Sequence, residues 1–387
     1  MIVAGVTAMW PLTVIVDEGA HGGMILALIR GERDADFGIT TPTLLHQTIA
    51  WLAAWTQPTE PQDLRPWLLP FALTAWWAAW NLARVAHEDA SRARVRLLQF
   101  VCLPIALPYT FLIYTDLPAL AGVLVAVAAA HAGHDVRAAT WIGLSMLVRQ
   151  QNVVWAFVLA IRRAALLWRQ SPRLSSLMRD RALWAYALIG LAFAAFVAWN
   201  GGIALGQDRD KHAPGLFRGN IEFVWLLGAF LLLPLVVARW REGWHAVRRR
   251  RWQGWLALAV TVAFVQALPA DHPYNVGYLD VFLRNRVLNW LQDSWNRLAL
   301  APMLMFATAT LATLRFRGGW GPWVVLGGAL ALTPSWLIEH RYAIPIVALV
   351  AILREPDSAR TEWALLVWLA GLSAIALYVH SAMVWMF

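Results

Sequence analysis

Asp17-Glu18, with His21 one helical turn later, is the first group in the chain able to move a proton. On a helix Asp17 and His21 share a face, and a carboxylate there suits general-base work at a membrane surface. The plainer reading is an acidic helix end in water. Arg149-Gln150-Gln151-Asn152, followed by Trp155, interrupts an otherwise apolar stretch over 138–162. One arginine at the bilayer centre costs about 2.5–3.5 kcal/mol on insertion scales. The run therefore either lines a cavity that takes an anion, such as a lipid-borne phosphate, or knits helices together as a buried polar network.

Other groups are less specific. Tyr114-Thr115-Asp116 reads as a turn between spans, or as a second carboxylate facing the same compartment as Asp17. Glu339-His340-Arg341-Tyr342 reads as an Arg–Glu pair with an interfacial tyrosine, or as a phosphate clamp, because a guanidinium fork matches phosphate oxygens. Asn200 to His212 combines glycines at 201, 202 and 206 with Asp208, Asp210, His212 and Lys211, the only lysine. Such a loop allows close backbone approach and dense hydrogen bonding. His272-Pro273-Tyr274 forms a polar corner. No cluster of acids has metal-ligand spacing, so neither metal nor cofactor is expected.

The elements that position these groups follow from composition. The chain has 387 residues, 60% of them hydrophobic and 14% charged. A soluble domain of this size has too little interior for so much apolar side chain, so the excess faces lipid. Disordered, coiled-coil and ordinary water-soluble classes are excluded. The net charge of +9 does not point to nucleic acid, because the arginines fall in short clusters between apolar runs, as loops held on one side of a bilayer do. Cys102 is the sole cysteine, so no disulfide forms within the chain.

The expected architecture is an all-α polytopic membrane protein, a single integral domain over 1–387. Spans are expected over 1–16, 66–86, 98–114, 117–131, 182–199, 221–238, 254–269, 298–314, 321–337, 343–353 and 363–386. Residues 1–16 lack a basic n-region and a small-residue cleavage site, so they read as a retained span rather than a leader. The stretch 138–162 reads as two half-length helices meeting at a polar turn, which brings the bundle to about 11–13 helices. Most arginines fall on the cytoplasmic side if the amino terminus is cytoplasmic, and most acids fall on the opposite side. The first non-cytoplasmic loop, 17–65, carries interfacial helices over 24–29 and 42–55, with Thr41-Pro42 as a helix start. The 25 tryptophans suit interfacial belts.

Taken in order, the motifs resemble those of the dolichyl-phosphate-glucose-dependent alpha-1,2-glucosyltransferases, which add the last glucose to the lipid-linked N-glycan precursor. The matching segments are Asp17-Glu18-x-x-His21, Ile39-Thr40-Thr41-Pro42, Tyr114-Thr115-Asp116, Arg149-Gln150-x-Asn152-x-x-Trp155, Asn200-Gly201-x-Ile203 with Gly206 and Asp208, His272-Pro273-Tyr274, and Glu339-x-Arg341-Tyr342-x-Ile344-Pro345. Where the family has a glutamine-rich stretch after the acidic motif, this chain has Gly22-Gly23-Met24, and Gln207 separates Gly206 from Asp208.

The resemblance implies a GT-C-like enzyme that moves a hexose, glucose by analogy, from a polyprenyl-phosphate donor to a lipid-linked or other glycan acceptor. It acts at the periplasmic face of the inner membrane with inversion. The expected base is Asp17, with Glu18 or Asp116 as the alternative. Arg149 and Arg341 are expected to hold the donor phosphate. Substrate contacts are expected from His21, Thr40, Thr41, Tyr114, Asp116, Gln150, Asn152, Asp208, His212, His272, Glu339 and Tyr342. Two other readings stay open: a transporter or flippase for an anionic lipid-linked substrate, and a non-catalytic scaffold. A flippase would place its coupling groups near the midplane, not on one face.

Overall fold

The computed structural model describes residues 2–10, 14, 17–32, 37–206 and 214–382. The protein is an all-α polytopic membrane protein. No strand forms among the described residues; a single bridge links Phe316 to Arg354. Helices Arg181–Asn200 and Ala359–Ser381 are long and apolar enough to cross a bilayer, and five shorter ones are apolar as well. On Arg181–Asn200 only Ala182 and Tyr186 are buried, while Trp184, Leu188, Leu191 and Trp199 are more than half exposed. Water does not tolerate such a surface on a monomer; lipid does.

The chain divides into two compact units: residues 1–97 with 106–213, and residues 98–105 with 214–387. In the first unit, Arg65–Ala86 packs along Asp116–His131. Buried alanines at 72, 75, 79 and 83 on one helix, and at 119, 126 and 130 on the other, allow the backbones to approach closely. Between the first residues and Arg65 lies a folded cap. Helix Asp17–Ile29 packs on Leu44–Ala53 and on the short turn Pro61–Leu64. Ile25, Leu26, Leu45, Ile49, Leu64, Leu68 and Ile113 form its core. Gly22 faces Pro61 and Gly23 faces the Phe37 ring so closely that a Cβ at either would collide. The two glycines at this point are thus a packing requirement of the cap.

Asp135–Met146 and Val153–Gln170 are separate helices, joined through a turn at 147–149 and a short 3-10 segment Gln150–Asn152. The expected span over 98–114 takes a different form. Helix Ala90–Val101 stops at Val101, and residues 102–115 run irregularly, with one 3-10 turn at Pro108–Thr110. Pro104 and Pro108 remove backbone donors and push their predecessors out of the helical region. The stretch is buried from Cys102 to Thr115, which is the condition under which non-helical backbone is tolerated in a membrane protein.

In the second unit, Ser294–Leu311 packs against Trp252–Gln266 and Trp240–Arg248. Phe223, Phe264, Leu268, Leu288, Leu291, Leu304 and Ile338 form its core. The expected span over 221–238 is split at Leu232, just before Pro234, into Gly219–Leu231 and Leu233–Ala238.

Candidate functional site

Asp17 and Glu18 open helix Asp17–Ile29, where the N-terminal end of the helix dipole favours negative charge. The two carboxylates then diverge. Glu18 is fully buried and receives a two-pronged contact from Arg65, Nε to Oε1 at 2.8 Å and Nη2 to Oε2 at 2.6 Å. The Ile113 backbone N–H donates to Glu18 Oε1 at 3.1 Å. Arg65 Nη1 also donates to the Met9 and Trp10 carbonyls at 3.0 and 2.9 Å. A buried pair satisfied on both sides is a structural anchor. Asp17, by contrast, stays partly exposed. Arg65 carries no sequence signal beyond being a lone arginine at the start of an apolar span.

His21, one turn from Asp17, meets His46 from Leu44–Ala53, with Nδ1 and Nε2 2.8 Å apart and the rings stacked at 5.1 Å. Tyr114 approaches the His21 ring edge-on at 5.8 Å, with Tyr109 behind it at 4.9 Å. Burial, reinforced by the neighbouring His21, lowers the His46 pKa to about 3. His46 is therefore neutral across the physiological range. Nothing in its local sequence marks it.

Asp116, the first residue of Asp116–His131, forms an ion pair with Arg149, whose backbone is extended just before the 3-10 turn. Both side chains are largely buried. Gln150 donates its amide to the carbonyls of Thr40 and Ile203, the latter at 3.1 Å, and Leu205 N–H donates to Thr40 O at 3.2 Å. Asn200 holds the same loop through the Gly202 and Ala204 carbonyls at 2.9 and 2.8 Å. One amide thus ties together the segments around Thr40, Gln150 and Ile203. Thr41 and Pro42 follow directly, and the Thr41 hydroxyl is buried with no partner among the described residues. Asn152 donates to Ser145 Oγ and, at 3.4 Å, to the Ala119 carbonyl, so it fastens helices rather than facing the loop. Asp208 and His212 lie outside the described residues.

The second unit gathers the later motifs. His272 Nδ1 accepts from Tyr274 N–H at 3.1 Å and stands edge-on to Trp336 at 4.7 Å. Asn275 exchanges hydrogen bonds with the Ile338 backbone at 2.9 and 3.0 Å, and Asn220 accepts from Glu339 N–H at 3.1 Å. Glu339 is thereby held between two arginines, Arg284 at 2.8 Å and Arg341 at 2.7 Å. Arg284 also stacks on Phe282 at 4.3 Å. Two guanidiniums thus meet one buried carboxylate. Tyr342 is partly exposed beside it. Arg284 escaped the sequence reading because its partner lies far along the chain. Among the described residues, no three His, Cys, Asp or Glu side chains gather as a metal site.

Fold and site together define a polytopic helical membrane protein whose acidic helix, broken helix pair and arginine-flanked carboxylate are each fixed by buried polar contacts. The chain belongs to the DIE2/ALG10 family, whose model matches residues 35–180 and 168–351. Asp17, Glu18 and His21 precede the matched residues. Among its relatives is the Dol-P-Glc:Glc(2)Man(9)GlcNAc(2)-PP-Dol alpha-1,2-glucosyltransferase of Arabidopsis thaliana, 27% identical over 172 residues, which cover 41% of this chain and 33% of that protein. The Mus musculus protein of the same name is 29% identical over 174 residues, covering 42% and 35%. That of Pyricularia oryzae is 37% identical over 86 residues, covering 22% and 12%. The chain thus aligns with about a third or less of the length of these relatives. No solved structure matches it.

Proposed function

We propose that the protein is a membrane glycosyltransferase that moves a hexose, glucose by kinship with its relatives, from a polyprenyl-phosphate donor to a hydroxyl of a lipid-linked or other glycan acceptor. It works at the non-cytoplasmic face, periplasmic in an inner membrane. Family membership supports the class of reaction. The observation that supports Asp17 as the reacting group is its place: it opens helix Asp17–Ile29 one turn from His21 and is partly exposed, while Glu18 beside it is fully buried.

Asp17 then serves as base. It takes the proton of the acceptor hydroxyl as that oxygen bonds to the sugar C1; the C1–O bond to phosphate breaks, and polyprenyl phosphate departs with the bonding electrons. A single displacement inverts the anomeric centre, so a beta-linked donor gives an alpha product. Positioned bases contribute roughly 10²–10⁴-fold. Arg149 and Arg341 are assigned to phosphate recognition, where a guanidinium stabilises the developing charge. Gln150, Thr40 and Thr41 shape the loop that receives substrate, with His21, Tyr114, Asn152, His272, Glu339 and Tyr342 supporting these groups and Asp208 and His212 touching donor or acceptor.

The test is Asp17→Asn in reconstituted vesicles supplied with labelled polyprenyl-phosphate glucose and a crude lipid-linked glycan extract. Transfer should fall at least 100-fold, with the protein still eluting as a single species. Transfer at the wild-type rate would remove Asp17 from the mechanism. Movement of the labelled lipid across the bilayer without any glycosidic product would favour the flippase reading instead.

A further inference from the structure

The junction between helices Trp240–Arg248 and Trp252–Gln266 carries four consecutive arginines, Arg248 to Arg251, all exposed. Helix Trp240–Arg248 has nine residues, about 13 Å at 1.5 Å per residue, too short to cross a bilayer. Its inner face is fixed. Gly243 and Ala246, three residues apart, are buried, and a Cβ at Gly243 would collide with the Thr310 side chain of Ser294–Leu311. Gly254 lies against the same helix, where a Cβ would come within 2.8 Å of the Ala246 carbonyl oxygen. The helix is therefore clamped to two neighbours and turns its other faces outward.

Those faces differ in chemistry. Trp240 and Trp244, one turn apart, are about half exposed. Arg241, His245 and Arg248 form an exposed polar stripe at helical spacing beside them. Past the arginine run, Trp252 and Trp255 are each more than half exposed. Tryptophans so displayed settle at the boundary between hydrocarbon and water. Two pairs of rings thus hold the intervening arginines at headgroup depth. Opposing charge is scarce: Glu242, the only acid from 239 to 255, pairs with Arg239, which also reaches Asp357. None of Arg248 to Arg251 enters an ion pair among the described residues.

The backbone adds a second sign. Arg250 N–H donates to the Val247 carbonyl at 3.1 Å and Arg251 N–H to that of Ala246 at 3.1 Å, with Arg250 left-handed at φ +47°. Glycine is the residue that closes a helix this way without strain. An arginine held there, its side chain exposed, points to a use for that side chain.

We propose that helix Trp240–Arg248 and the arginine turn after it form a binding surface for anionic phospholipid in the leaflet on that side. Headgroup phosphates would sit at Arg248 to Arg251 and the upper acyl chains against the tryptophans. A guanidinium fork matches phosphate oxygens, and roughly four to eight basic residues on an amphipathic helix concentrate anionic lipid. A run that only set topology would need charge near a span end, with no aromatic frame around it. An acidic soluble partner would match the charge but leave the tryptophan rings in water. The surface is separate from the groups assigned to sugar transfer and does not depend on that reaction.

The experiment uses the full chain in nanodiscs of equal parts phosphatidylcholine and phosphatidylglycerol. His245→Cys, on the exposed stripe, carries a fluorophore attached under native conditions, in which the buried Cys102 is shielded. One lipid at a time is brominated in its upper acyl chain, and quenching reports which lipid lies beside the helix. Phosphatidylglycerol should be enriched about fivefold over phosphatidylcholine. The preference should vanish in 1 M salt, where the screening length is about 3 Å. Replacing Arg248 to Arg251 together by glutamine should cut it below about twofold. Arg250→Gly, which relaxes the backbone, should raise the unfolding temperature in pure phosphatidylcholine yet lower the preference to about threefold. Equal quenching by the two lipids in the wild type would overturn the proposal and leave the arginines as a topology signal; so would a preference that persists in 1 M salt, neither result requiring a variant to fold. An undiminished preference in the glutamine or glycine protein would overturn it as well.

Discussion

Two adjacent carboxylates at the start of one helix meet different surroundings. Glu18 has a guanidinium fork and a backbone N–H; Asp17, a residue earlier, keeps partial exposure. Removing one partner of a buried pair leaves an uncompensated charge and costs about 3–5 kcal/mol, whereas replacing both with apolar residues of similar volume is often neutral. Arg65→Met should therefore lower the unfolding temperature sharply in detergent, and Glu18→Leu added to it should restore most of the loss, both read by a thermal-shift assay. A double variant no more stable than the single one would show that Arg65 acts through contacts other than Glu18, the Met9 and Trp10 carbonyls among them. Asp17 and His21 were legible in the sequence because helical spacing puts them on one face. Arg65, His46 and Arg284 were not, because their partners Glu18, His21 and Glu339 are brought to them only by tertiary packing, across 47 residues in the first case and 25 in the second.

At the scale of elements, the cap between residues 17 and 65 rests on contacts too close for a side chain. Helix Asp17–Ile29 meets Pro61 at Gly22. Gly22→Val would force the helix away from that turn, and overpacking of this kind costs about 1–3 kcal/mol. The expected result is lower thermal stability together with reduced transfer, since Asp17 and His21 ride on the same helix. Unchanged transfer in a folded Gly22→Val protein would detach the cap from the chemistry. A helix near Pro42 was legible in the sequence, but it starts at Leu44 with Thr43 before it, so neither the Thr41 hydroxyl nor Pro42 opens it. The fate of 98–114 was not legible: hydropathy registers apolar residues without distinguishing lipid from protein as the surroundings, and only the prolines at 104 and 108 hinted that no helix would form.

For the whole molecule, the all-α membrane class was legible from composition alone, because no soluble interior could absorb the apolar excess. The orientation rests on arginine placement and is open to a direct check. Cys102 is the only cysteine and is buried, so a single added thiol reports without background. Thr59→Cys should react with a membrane-impermeant maleimide from outside intact spheroplasts. Ser175→Cys should react only after permeabilisation. Both positions are exposed, and the reverse pattern would invert the topology.

The Gln150 amide that bonds to the Thr40 and Ile203 carbonyls also constrains how the molecule is born. Residue 40 leaves the ribosome early, yet its partner Gln150 follows 110 residues later and Ile203 only after more than half the chain. Since chains fold as they emerge, the Thr40 contact is completed only after some 160 further residues have been made.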